Sequence, residues 1–237
     1  SLESWQILQD KRQHNGWQMT RGNHEDYVLR HEAEAPDSDH MSIQAQINQN
    51  SRWTYHQVKE HCADLAALPD QVTLTAPDGS KLVATHASRR GNQDCMFPYM
   101  ADEAVRPQIA PAPAVFITSH IHHAYIRSLD ETLIVNSGSA GHHNAYDTRA
   151  TYAQVVWQNG RWQAEIIRLN YDMAATERAY YHSGFMEETG PVANLIFHEW
   201  KTAVPLLAMW RIQYQDAVLS GTISLESSVN EFLRSQL

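Results

Sequence analysis

Cysteine is almost absent: Cys62 and Cys95 are the only two in 237 residues. Two thiols build no disulfide framework, and a reducing cytoplasm is the simplest setting for them. Long apolar runs are missing as well. The patch Val204-Pro205-Leu206-Leu207-Ala208-Met209-Trp210 soon meets Arg211, and it is about a third of the length a membrane-spanning helix needs. No membrane role is expected. Basic charge is also in short supply. Eighteen Lys and Arg against 27 Asp and Glu leave a formal net charge of −9, which argues against general nucleic-acid binding. An anionic substrate is still allowed, because bound divalent cations reverse the local field.

What is present is a core and a great deal of histidine. Apolar residues make up 43% of the chain, enough for a substantial interior. Patterning alternates between strand and helix up to about residue 170. A helix is expected from Leu2 to Gln13, a short strand over Trp17-Gln18-Met19-Thr20, and a turn at Gly22 leading into a helix. Arg30 to Asn50 is polar without clear periodicity, with a loop at Pro36-Asp37-Ser38-Asp39. Helical spacing returns from Trp53 to Leu68. Asp78-Gly79 and Asn159-Gly160 each sit between apolar alternations, the signal of a hairpin. A short helix is expected near Tyr99 to Val105, with the proline-rich Pro107 to Pro113 as a connector. Beyond Asn170 four helical stretches follow, around 174–182, 192–201, 206–219 and 225–233. The pattern describes an α/β body over 1–170 with a helical C-terminal extension over 171–237 that packs on the body or on another subunit. The extension is a candidate surface for self-association.

Fourteen histidines make a His-x-His expected about once by chance, so His120-Ile121-His122 means little alone. It follows the apolar run Ala114-Val115-Phe116, which reads as a buried strand. In an extended segment side chains two apart share a side, which would put His120 and His122 together and turn His123 away. Three other stretches set polar groups directly after strand candidates: Gly22-Asn23-His24-Glu25, Thr85-His86-Ala87-Ser88 and Asn136-Ser137-Gly138-Ser139. Strand ends are where α/β proteins place their sites.

These four stretches, in this order, resemble the calcineurin-like metallophosphoesterase family, and look closest to its compact bacterial branch. The family's middle and late motifs are Gly-Asn-His-Asp/Glu, a lone strand-end His, Gly-His-x-His and Asn-Pro-Gly-Ser. Here Ser119 replaces a Gly and Ser137 a Pro. The resemblance covers about residues 1–170 and implies a four-layer αββα sandwich. It implies that Asn23, His86 and His120 bind one divalent metal and His122 a second, with Mn first and Fe or Zn as alternatives. It implies that His24 protonates the leaving alcohol or steadies the phosphoryl oxygens. The chemistry has its own logic. A phosphoester, mono- or di-, needs its charge neutralised, a nucleophile made near neutral pH and a protonated leaving oxygen. Paired cations do the first two, and an imidazole can do the third.

The family opens with Asp-x-His and then Gly-Asp-x-x-Asp, and neither motif is present. Ser1-Leu2-Glu3-Ser4-Trp5 looks like the helix that follows the second of them. The expectation is that about 40–60 residues, roughly one βαβ unit plus a turn, are missing from the front, and that the chain as given is weak or inactive while its parent hydrolyses phosphate esters. The competing reading is a phosphoesterase-like protein that binds or scaffolds without catalysis. Arg89, Arg90 and Asn92, just after His86, are candidates to hold the substrate's phosphate or its remote part, or they form a solvated loop. His123, His142 and His143 read as surface or loop residues that could line the pocket, and Asn136 with Gly138 as either a plain turn or site support.

Overall fold

A computed structural model describes residues 2–34 and 42–236. The loop expected at Pro36–Asp39 lies outside the described residues. In chain order, helix α1 spans Leu2–Asn15, α2 Asn23–Glu32, α3 Ile43–Ile47, α4 Gln49–Val58 and α5 Cys62–Ala66, the last two joined by a 3-10 turn at Lys59–His61. Strands β1 (Gln71–Thr75) and β2 (Lys81–Thr85) form the first hairpin, and α6 spans Asp102–Ile109. Next come β3 (Val115–Thr118), β4 (Tyr125–Leu129), β5 (Thr132–Asn136), β6 (Ala150–Gln158) and β7 (Arg161–Leu169). Helices α7 (Met173–His182), α8 (Phe185–Glu188), α9 (Val192–Thr202), α10 (Leu206–Leu219) and α11 (Leu225–Gln236) complete the described chain.

Three expectations fail locally. Trp17–Thr20 is not a strand: no neighbour takes up its backbone groups as a ladder, and Trp17 is 53% exposed. Pro107 lies inside α6 instead of starting the connector. A proline costs a helix one backbone bond, and here that loss falls only two residues before the helix ends. The segment thought aperiodic contains α3, whose Ser42 side chain accepts from the Ala45 N–H at 3.2 Å. Such a cap starts a helix without long periodicity.

The five-stranded sheet runs in the order β1-β2-β3-β5-β4 and β6 pairs with β7 separately. Strand β3 is parallel to both β2 and β5, with Phe116 opposite Val83 on one side and Ile134 on the other. One face of the sheet, through Val83, Phe116 and Ile134, packs against Val105 and Ile109 of α6. The opposite face, through Leu82, Val115 and Val135, takes Val155, Trp162 and Ile166 of the β6–β7 hairpin. A strand buried on both faces reads as a continuous apolar run rather than an alternation, which is the character of Val115-Phe116-Ile117. The mixed α/β body with a helical C-terminal region is thus as the sequence implied.

The C-terminal helices share a core with the N-terminal half. Val192, Leu195, Trp210, Val229 and Phe232 pack together with Ile47 of α3, and Trp53 of α4 meets the ring of Phe185 edge-on at 5.2 Å. Trp210 has no exposed surface, and its indole N–H donates to Ser228 Oγ at 3.2 Å. Replacing it, Trp210→Ala, is expected to cost about 3–5 kcal/mol, read as a lower urea midpoint at unchanged slope; a loss under about 1 kcal/mol would mean that this cluster does not hold the helices.

Candidate metal centre

Because β2, β3 and β5 run parallel, their carboxyl ends emerge at one edge, the customary place for a site in such sheets. His86 follows β2, His120 follows β3 by one residue, and Asn136 ends β5. Crossing hydrogen bonds fix these ends together. Ser119 N–H donates to the His86 carbonyl at 2.9 Å, Thr118 Oγ1 to the Ala87 carbonyl at 2.6 Å, and Ser137 N–H to the Thr118 carbonyl at 3.0 Å. Asn136 is fully buried; its Nδ2 donates to the Ser119 carbonyl at 2.6 Å and its Oδ1 accepts from Gly138 N–H at 3.0 Å. Both readings of Asn136 have a contact: Oδ1 closes a turn with Gly138, and Nδ2 holds the peptide just before His120.

Gly22 brings α2 to the same edge, for a reason other than the one expected. Its φ of −105° suits any residue, so no turn demands glycine. Close approach does: a Cβ there would stand 2.9 Å from His86 Nδ1 and 2.9 Å from Glu25 Oε2. Glu25 meanwhile accepts from the Gly22 N–H at 2.7 Å, closing the first turn of the helix that carries Asn23 and His24.

The extended geometry expected for the His-x-His stretch is also corrected. Strand β3 ends at Thr118, and His120 and His122 have φ of +43° and +57°. Left-handed backbone at a residue with a Cβ costs about 1–3 kcal/mol, so the surrounding bonds, not strand alternation, aim these rings. Asn23 Oδ1 lies 2.7 Å from His86 Nε2, and His86 Nε2 lies 3.2 Å from His120 Nδ1. Ligand atoms bound at ~2.0–2.1 Å around one tetrahedral ion stand about 3.3 Å apart; the His86–His120 contact has that spacing, and the Asn23–His86 contact is shorter. Among the described residues no three His, Cys, Asp or Glu side chains converge in this way; the third donor is the amide oxygen of Asn23. His122 instead faces His142, with ring centroids 5.7 Å apart, and its Nδ1 is buried without a hydrogen-bond partner.

Burial sets the charge state of this cluster. It pushes His86 down to about 4, helped by repulsion from His120 and His24, and His122 down to about 3, helped by His142, His24, His86 and His120. His120 is lowered by burial too. His24 keeps an open edge, yet burial lowers it, followed by the nearby His142, His120 and Arg211. Near neutral pH these imidazoles are uncharged and keep a lone pair each, the form that binds metal.

Two of the three candidates on the loop after His86 are already engaged. Arg90 forms a two-pronged pair with Asp94 at 2.8 and 2.7 Å, and Asn92 Nδ2 donates to Asp26 Oδ2 at 2.5 Å. Arg89 Nε is buried without a partner. All three line a cleft of ≈ 340 Å³ with His86, while Asn23 and His24 open into a larger one of ≈ 700 Å³.

Sequence reasoning named His142 only as a loop residue that could line the pocket, and passed over Glu199. His142 Nε2 stands 2.5 Å from Glu199 Oε1, and the other oxygen, Oε2, accepts from Leu207 N–H at 2.8 Å. Glu199 is only 5% exposed. Its signal was available: it is a lone acid on the apolar face of α9, one turn after Leu195.

No family model matches the chain, and no curated protein matches its sequence. Its fold does match solved structures. The hypothetical protein PH1004 from Pyrococcus horikoshii superposes with a TM-score of 0.63 at 14% identity, over 78% of this chain and 75% of the other. A metallophosphoesterase from Sphaerobacter thermophilus superposes with a TM-score of 0.53 at 18% identity, over 78% and 76%. The chain has the calcineurin-like metallophosphoesterase fold.

Two outcomes follow from the geometry. Gly22→Ala is expected to displace His86 and lower cobalt(II) affinity by about ten-fold, the scale of a disturbed ligand support; an unchanged titration would separate Gly22 from the site. In the metal-free chain the folded pKa values of His86 and His122 lie below the ordinary 6.5. The unfolded chain therefore takes up protons first as pH falls. Stability is complete above about pH 6.5 and declines toward about 4 for His86 and about 3 for His122. His122→Asn, a residue tolerant of left-handed backbone, should flatten the acid limb of melting temperature against pH.

Proposed function

We propose that this chain is a metal-dependent phosphoesterase whose metal is held by Asn23, His86 and His120. The observation that carries the reading is the convergence of their three donor atoms within 2.7 and 3.2 Å contacts at the ends of parallel strands. The shared fold supports it. A divalent ion bound there would neutralise phosphoryl oxygens and make a water acidic enough to attack near neutral pH. Mn, Fe and Zn all suit the donor set, and a second ion would use His122, whose buried Nδ1 lacks a partner.

The rest falls to the protein. Helix α2 delivers His24 beside Asn23, facing the ≈ 700 Å³ cleft. Burial and the neighbouring His142, His120 and Arg211 favour neutral His24; an incoming phosphate ester adds negative charge and raises its proton affinity. His24 can then hold a proton toward the leaving oxygen, or donate its N–H to a phosphoryl oxygen. The ring is steadied by Tyr27, with centroids 5.3 Å apart.

A second reading, a binding protein without turnover, has one observation in its favour. The carboxylates near the cluster are committed elsewhere: Asp26 to Arg21 at 3.2 Å and to Asn92, and Asp94 to Arg90. The family's bridging carboxylate has no counterpart among these pairs. Elemental analysis combined with hydrolysis of bis(p-nitrophenyl) phosphate decides between the two. The phosphoesterase reading expects metal-dependent turnover, weak in the chain as given, loss of both metal and turnover in His120→Ala, and about a hundred-fold lower kcat with unchanged metal in His24→Asn. Metal uptake with no turnover would leave the binding reading; no metal uptake would end both.

A further inference from the structure

Two arginines without a carboxylate partner among the described residues line the ≈ 700 Å³ cleft that contains His24. Arg30 comes from α2 and Arg211 from α10. Neither guanidinium has an ion pair or hydrogen bond among the described residues. Arg30 lies over the ring of Tyr27, its central carbon 4.7 Å from the ring centroid, which holds one flat face and leaves the N–H edge free. The acids in the same cleft have other partners: Asp26 meets Arg21 at 3.2 Å, which also pairs with Asp70 at 3.1 Å, and Glu34 meets Arg52.

Arg211 is also placed with some care. Leu207 and Arg211 are four apart on α10 and share one face, and both line the cleft. The helix start is fixed by Glu199, which accepts from Leu207 N–H at 2.8 Å while meeting His142 at 2.5 Å. A single buried carboxylate thus registers α10 against the histidine cluster, and His24 senses the charge of Arg211.

We propose that Arg30 and Arg211 form an anion subsite beside His24 that binds a second phosphate group of the substrate, with Arg211 as the specificity residue supplied by the helical C-terminal region. The word substrate rests on the phosphoesterase reading; the anion site itself stands apart from it. Guanidinium groups with free edges match phosphate oxygens in two-pronged fashion. Orthophosphate can engage one guanidinium well, whereas two linked phosphates can engage both.

The test is calorimetric titration of the metal-free chain with inorganic pyrophosphate and with orthophosphate. Pyrophosphate should bind more tightly. Arg211→Gln and Arg30→Gln should each weaken it by about ten-fold or more, the cost of one charge-assisted contact, and Arg211→Lys should recover part of the loss. Arg161→Gln, on the distant β7, serves as control, with circular dichroism confirming that each variant is folded. Equal binding of the two anions, or pyrophosphate affinity within about two-fold of the parent chain in both glutamine variants, would overturn the proposal. His120→Ala separates the two readings. If it still binds pyrophosphate while no form of the chain takes up metal, the phosphoesterase reading fails and the subsite stands.

Discussion

Several imidazoles meet at one partly exposed edge of this structure, where burial and mutual repulsion favour their uncharged forms. His24, His86, His120 and His122 lie close enough to lower one another's proton affinity, with burial as the larger cause. Neutral rings lack ionic attraction, and the 3.2 Å contact between His86 and His120 is a single tie, so further bonds keep the strand ends together. Backbone does that work. The ends of β2, β3 and β5 are cross-tied by the Ser119–His86, Thr118–Ala87 and Asn136–Ser119 hydrogen bonds. Those ties also hold His120 in a backbone region its own side chain disfavours.

Glu199 is one of the residues that join the helical region to this edge. Glu199 is buried and bonded on one side to His142 and on the other to the first turn of α10. Burying a carboxylate is costly unless it is hydrogen-bonded, and here both of its oxygens are. The apolar cluster around Trp210 and Ile47 supplies the bulk attachment between helices and body. The polar link through Glu199 supplies register, which apolar packing alone specifies less sharply.

Much of the fold was legible because its signals are local. Asp78-Gly79 and Asn159-Gly160 name their hairpins, and the apolar run of β3 names a strand buried on both faces. The placement of Asn23, His86, His120 and Asn136 after strands or at a helix start was legible for the same reason. Failures came where a distant neighbour decides. Trp17–Thr20 has strand-like residues but no strand to pair with, and Gly22 is glycine because His86, 64 residues later, leaves no room for a Cβ. His120 and His122 were expected on one side by alternation, but alternation stops with the strand. His142 and Glu199 are 57 residues apart, beyond any spacing rule.

The sequence by itself determined which chemistry is available. Neutral nitrogen ligands, amide and small polar groups sit at element ends, on an acidic chain with a core large enough to bury them, because strand and helix periodicities are written residue by residue. Only the tertiary structure decided which of those groups meet. It brought Asn23, His86 and His120 to one point, turned His122 toward His142, tied Arg90 and Asn92 to acids, and set Arg30 and Arg211, from opposite ends of the chain, in one cleft. The reason is physical: contacts between elements depend on how sheets and helices pack in space, and packing obeys shape and burial rather than distance along the chain.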